Sequence, residues 1–342
     1  MRGTDLIFTS TPEIPSWVQL PKRTLVENMM LQFTEGMPGL VQEEGKFYFD
    51  TGLSDYVEQL TTFYAQYLAA VEEDDLDVLQ VFRLSPAYAA GFEAFLARLH
   101  EQNSSRVMLK GQVTGPFTLG VNLLDQNRRC AYYDDTLRDV VVKTVALKAK
   151  WQLAQLRAFE LPVVIFLDEP SLLAYGSQTF ITVSREDIIN DINEVVALIH
   201  AQGALAGVHC EEDTDWSLLM TTDLDILSFD AYDHLQAMTL YPAELQSFLR
   251  RGGNLAWGIV PTLDQDTAAT ETLPSLLSRF ENGLDQFERK GFDRMFLLRR
   301  ALITPSCGAG GVLTEPLAER VLHLLSALSH TLRDTYSFTQ ET

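Results

Sequence analysis

Short runs of β-branched and apolar residues recur along this chain, each followed by a longer stretch with helical apolar spacing. The clearest is VVIFL, Val163 to Leu167. A run without polar alternation describes a strand covered on both faces, the condition of a parallel sheet flanked by helices. Leu205 to His209, Ile226 to Phe229, Leu255 to Ile259 and Met295 to Leu298 read the same way. Val107 to Lys110 reads as a strand running into the turn-rich GQVTGP. Asp187 to His200 places Ile188, Ile192, Val195, Val196 and Ile199 on one helical face, with Ser184 and Asp187 as a capping box. Pro242 to Arg251, Thr272 to Lys290 and Pro316 to Arg333 read as further helices, and Gly203, Gly252, Gly253 and Gly291 stand where helices stop.

Strand–helix alternation implies a parallel sheet, either closed as a barrel or open and doubly wound. No glycine-rich phosphate loop follows any of the runs, which weakens the dinucleotide-binding open sheet. Polar residues gather at the C-terminal ends of several runs, where barrels build their sites. The expected architecture is therefore α/β, a (β/α)8 TIM barrel. Residues 1–342 form one domain. Residues 1–100 are its mostly helical N-terminal part, with a hairpin at Lys46 to Asp50, and 105–333 carry the barrel strands and helices. No segment of the first 100 residues identifies itself as the first barrel strand.

Charge narrows the partners. Lysine and arginine number 26 against 47 acidic residues, a net charge of −21. Nucleic acid and anionic membranes both call for a basic face, so neither is expected as a partner. Cys130, Cys210 and Cys307 are too few for a disulfide scaffold. The N-terminus has no signal-like apolar stretch, and no run approaches the roughly 20 residues that span a bilayer. A soluble cytoplasmic enzyme is expected.

The strand ends carry the chemistry. VVIFLDEP ends in Asp168 and Glu169, two carboxylates leaving a buried strand together. They serve either a site or a helix cap with a structural ion pair. In ALAGVHCEED, alternation puts His209 and Glu211 on one side and Cys210 on the other. DILSFDAYD ends in Asp230, which is a helix cap or a ligand. Cys307 lies in the glycine-rich PSCGAGG, a setting for an activated thiolate or a metal ligand. Histidine, carboxylate and cysteine on successive strand ends are a set that zinc binds, with three protein ligands and one exchangeable position. Cys130, in QNRRCAYYDD, has no assignable role.

TGPFT, LDEP, VHC followed by TDW, SFDAY and PSCG occur in this order. They resemble the catalytic barrel of cobalamin-independent methionine synthase and its short single-barrel relatives. That family belongs to the uroporphyrinogen decarboxylase and methylcobamide methyltransferase superfamily. The resemblance covers about residues 105–330 and extends to PEIPSWVQLPKRTLVENMMLQFTEGMPG. It implies methyl transfer to a zinc-bound thiol such as homocysteine, in methionine biosynthesis, from a folate or corrinoid donor. His209 and Cys307 match zinc ligands of the family. Asp230 falls where the family has an acidic ligand and is assigned here to substrate binding. Asp168 matches the aspartate that contacts the amino-acid substrate, with Glu169 beside it, and Glu27 aligns, across a gap, with a substrate-contacting glutamate.

The chain also departs from the family pattern. Its His-x-Cys is His209-x-Glu211 here, with Cys210 displaced by one position. A carboxylate in place of a thiolate makes a harder site. The family's early Gly-Ser-x-Pro strand is not visible, and LAWGIVPT lacks the proton-donating histidine of the two-barrel enzymes. Two other readings remain open at this point. One is a uroporphyrinogen-decarboxylase-like enzyme, for which Lys22 and Arg23 are the only early basic pair. The other is a divergent, non-catalytic barrel acting as a binding subunit.

Overall fold

The continuous apolar runs become neighbouring parallel strands. The computed structural model describes residues 2–43, 45–101, 105–177, 180, 182–212 and 214–338. A hairpin of β1 (Leu40–Glu43) and β2 (Lys46–Phe49) precedes the main sheet. That sheet holds β3 (Leu109–Thr114), β4 (Val163–Asp168), β5 (Leu205–His209), β6 (Ile226–Asp230), β7 (Asn254–Val260) and β8 (Ala301–Pro305). Its six strands lie side by side in chain order, all parallel. Among the described residues no ladder joins β8 back to β3, so the sheet is a curled half barrel in an α/β fold.

Alternation along each strand divides two cores. Val163, Ile165 and Leu167 face the flanking helices and belong to the large outer core. Val164 and Phe166 face inward and meet Ile226 and Ala256, with Met108, Leu205 and Leu302 packed against them. The same register carries polar groups up the inner face. Thr114 pairs with Asp168, Asp168 with His209, and His209 with Ser228, so these side chains share one level near the C-terminal ends of the strands.

Helices form where expected. Arg185–Ala201 is capped by Ser184, whose Oγ accepts the Asp187 N–H at 3.0 Å. Pro242–Arg250, Leu273–Arg289 and Glu315–Thr335 follow the remaining apolar stripes. Gly203, Gly252 and Gly291 all take positive φ just past helix ends. None of the described helices is long and apolar enough to cross a membrane.

Two strand assignments change. Met295 to Leu298 is helical, within Arg294–Leu298, because Asp293 caps the Phe296 N–H at 2.7 Å; the strand is the next segment, Ala301–Pro305. A four-residue apolar run satisfies either geometry, and the cap decides. Val107 to Lys110 is likewise displaced: β3 starts at Leu109 and continues through GQVT. Its polar residues point inside and find partners there. Gln112 donates to the Trp17 carbonyl at 3.1 Å, and Thr114 to that of Met29 at 2.7 Å.

The outer edge of β3 is covered by a segment the sequence did not mark. The N–H groups of Val107 and Lys110 donate to Glu13 and Pro15 at 2.9 and 3.1 Å, and Ser16 bridges Lys110 in parallel. Helix Ala90–Leu99 clamps this segment from outside. A Cβ on Gly91 would stand 1.8 Å from the Val18 carbonyl oxygen. Backbone cannot yield as a side chain can, so Gly91→Ala is expected to cost about 3 kcal/mol. A urea midpoint unchanged in that variant would show that the two segments do not pack this closely.

Candidate metal centre

Each member of the centre is held by an element end. His209 is the last residue of β5. Its Nδ1 lies 3.1 Å from Ser228 Oγ on β6, which fixes the ring and directs Nε2 away from β6. Nε2 is buried without a hydrogen-bond partner. Glu211 follows two residues on, with an oxygen 3.9 Å from Nε2. Cys307 follows β8, and its thiol donates a hydrogen bond to the same Glu211 oxygen.

Backbone contacts set the Cys307 loop. The Cys307 N–H donates to Thr262 Oγ1 at 2.9 Å, and the Ser306 N–H to the Val260 carbonyl at 2.8 Å. That approach depends on Gly258, where a Cβ would fall 2.6 Å from the Phe229 oxygen and 2.9 Å from Ser306 Cα. The β7–β8 register shifts between Gly258 and Val260, just before this contact.

His209, Glu211 and Cys307 each offer a ligand atom, and these atoms all lie within 4.8 Å of one another. Zinc bonds of 2.0 to 2.3 Å place tetrahedral ligand atoms roughly 3.5 Å apart, so a small adjustment closes the set around an ion. The orphaned Nε2 is the strongest sign of fit, since a buried ring nitrogen without a partner costs free energy. One nitrogen, one oxygen and one sulfur leave a fourth position open.

The charges are coupled. The imidazole of His209 beside Glu211, with the Cys307 thiol, holds the Glu211 carboxyl below its ordinary value. Burial, with the Glu211 charge, pushes the Cys307 thiol well up. Without a cation the sulfur therefore keeps its proton at neutral pH, and a divalent ion binding there displaces it. Cys210 is turned the other way. It is fully buried, and its thiol donates to the Glu169 carbonyl at 3.2 Å.

The other expected site residues lie outside this trio. Asp168 ends β4 beside His209 and keeps some exposure; burial raises its carboxyl pKa, opposed by Lys110 and His209. Among the described residues its carboxylate has no hydrogen-bond donor. Asp230 is 2% exposed, and its Oδ1 accepts the N–H groups of Tyr232 and Asp233 at 2.8 and 3.0 Å, which closes the turn after β6; the helix that follows, Leu235–Met238, starts after His234. Glu27 is 1% exposed, ion-paired with Arg23 and bonded to the Ala90 N–H at 3.2 Å.

Glu169 anchors a helix other than the one that follows it. Oε1 accepts the Phe117 N–H at 3.0 Å; Oε2 accepts the Thr118 N–H and hydroxyl at 2.8 and 2.6 Å. It thus caps helix Pro116–Asn122 from the neighbouring strand. A Cβ on Gly115 would sit 2.2 Å from this carboxyl, so the glycine of TGP makes room for it.

Ser228 and Thr262, which orient two members of the trio, were missed in the sequence. The available signal was position: Ser228 is the small polar residue within the apolar run ILSF, on the strand next to His209.

Comparison with known proteins adds little. No protein-family model matches this chain, and no curated protein matches it significantly. A solved structure of the tandem GH20 catalytic modules of the pneumococcal exo-β-D-N-acetylglucosaminidase StrH aligns with 96% of this chain and 89% of its own. The identity is 9% and the TM-score 0.38. A likeness of that size says nothing about activity.

Proposed function

We propose that this chain is a zinc-dependent methyltransferase on a (β/α)8 plan, akin to the cobalamin-independent methionine synthase barrel, acting on a thiol such as homocysteine. The observation that carries this reading is the convergence of His209 Nε2, a Glu211 oxygen and Cys307 Sγ at the strand ends, with the nitrogen buried and unpartnered. Zinc, when bound, supplies Lewis acidity that keeps a substrate thiol deprotonated at neutral pH.

The chain's own groups supply the rest. Ser228 holds the imidazole by Nδ1 and leaves Nε2 beside Glu211 and Cys307, where it would be a ligand. Thr262 holds the Cys307 backbone. Asp168, free of protein donors among the described residues and on the same level as His209, takes the substrate ammonium. The methyl donor is a methylcorrinoid or a methylfolate, the setting is cytoplasmic methionine biosynthesis, and neither nucleic acid nor membrane takes part.

The test is homocysteine-dependent demethylation of methylcobalamin or 5-methyltetrahydrofolate by the zinc-loaded protein. Methionine formed at a rate that scales with enzyme supports the reading. No methionine from either donor, with zinc bound, removes it.

A further inference from the structure

A cleft of about 800 Å³ lies outside the metal centre and shares no residue with the trio. One wall is the loop after β6, with Tyr232 and Asp233; the other is the helix Leu273–Arg289, through Ser275, Ser278, Arg279 and Asn282. The spacings of three and four residues put these four side chains on one helical face.

Arg279 is the charged group of that face. Its guanidinium carbon sits 3.9 Å from the centroid of the Tyr232 ring, and Nη1 donates to the Tyr232 carbonyl at 2.8 Å. Nε is buried without a partner, and Nη2 has none among the described residues. No carboxylate among those residues forms an ion pair with it. Glu271 is engaged elsewhere: Oε2 accepts the Tyr232 hydroxyl at 2.6 Å, and Oε1 accepts the Thr272 N–H at 2.8 Å.

A stacked guanidinium is held in one orientation, and a buried N–H without an acceptor costs free energy. Nε–H and the parallel N–H of Nη2 make a two-pronged edge that matches two oxygens of a phosphate. Ser275, Ser278 and Asn282 offer neutral donors for the remaining oxygen. The volume far exceeds that of a phosphate and leaves room for the body of a small molecule. Asp233, exposed on the opposite wall, accepts hydroxyl groups and repels a second anion.

We propose that this cleft binds the phosphate group of a small hydroxylated molecule, with the phosphate on Arg279 and the hydroxyls toward Asp233. The site is independent of the zinc centre.

The experiment is calorimetric titration with inorganic phosphate and with glycerol 3-phosphate at constant ionic strength, with glycerol as control. Wild type is expected to bind one phosphate group per chain, the monoester about tenfold more tightly than the free anion. Arg279→Met weakens both about 10- to 100-fold, and Arg279→Lys keeps part of the affinity. Asp233→Asn tightens inorganic phosphate about threefold, by removing a like charge. That variant retains the backbone N–H through which Asp233 bonds Asp230. No binding of either phosphate overturns the proposal. Binding that survives in Arg279→Met overturns it too, because the anion then sits elsewhere, the metal centre included. If Arg279→Met does not fold, Asp233→Asn decides, and an unchanged phosphate affinity there counts against the cleft. Equal affinities for the two ligands in wild type overturn the hydroxylated body and leave the free anion as the ligand.

Discussion

Cys307→Ala is expected to reduce tightly bound zinc from about one per chain to less than about a tenth, with the fold intact. Cys307 supplies the only sulfur in the trio, because Cys210 points to the Glu169 carbonyl. Removing it leaves His209 and Glu211, a nitrogen and an oxygen that retain zinc weakly. The loop itself should survive, since the Cys307 backbone is held by Thr262 and not by its thiol. Metal analysis after dialysis against a mild chelator, beside circular dichroism, reads the result. Full zinc retention in Cys307→Ala would place the ion elsewhere. Glu211→Cys should act in the opposite direction, because a second thiolate softens the site and tightens zinc.

Glu169→Ala should be the most damaging change away from that centre, costing about 3 kcal/mol. It strands the N–H groups of Phe117 and Thr118 and the Thr118 hydroxyl, all in the interior. The penalty depends on pH. Burial raises the Glu169 pKa from 4.5 to about 7, although its three donors pull the other way. A carboxyl whose folded pKa lies above its unfolded value binds its proton more tightly in the native state. Its contribution is fully present below pH 4.5 and is lost as pH rises through 7. The gap between wild type and Glu169→Ala should therefore be wider at pH 5 than at pH 8. Urea unfolding at the two values measures it. A gap that widens toward pH 8 would mean the ionised form is the one the fold prefers.

Much of this architecture was legible because burial on both faces leaves strands continuously apolar. VVIFL and the runs ending at His209 and Asp230 fall on β4, β5 and β6 within a residue. The errors have physical causes. β3 carries Lys110, Gln112 and Thr114 on its inner face, so its polar alternation mimicked a turn. β8 is half-exposed along its length and runs into a glycine-rich loop, so the apolar helix before it drew the strand assignment. The segment at Glu13 to Ser16 holds Pro15 and makes few ladder bonds, which no periodicity reveals.

Within the site, alternation read two residues past the end of β5 placed His209 and Glu211 together and Cys210 opposite, and the ligand atoms of His209 and Glu211 do lie close although the strand ends at His209. It could not tell a carboxylate at a site from one at a cap. Asp230 and Glu169 look like Asp168 in sequence, yet the first two accept backbone N–H groups and the third does not. Nor could it show that Glu169 caps a helix on the neighbouring strand, since that partnership joins residues 51 and 52 positions apart.

The most direct test of the central claim is X-ray absorption at the zinc edge, on protein purified under reducing conditions, before and after adding homocysteine. The predicted first shell has one sulfur at about 2.3 Å with nitrogen and oxygen ligands near 2.0 Å, and it gains a second sulfur when the thiol is added. Protein without zinc, or zinc whose shell does not change with homocysteine, would contradict it.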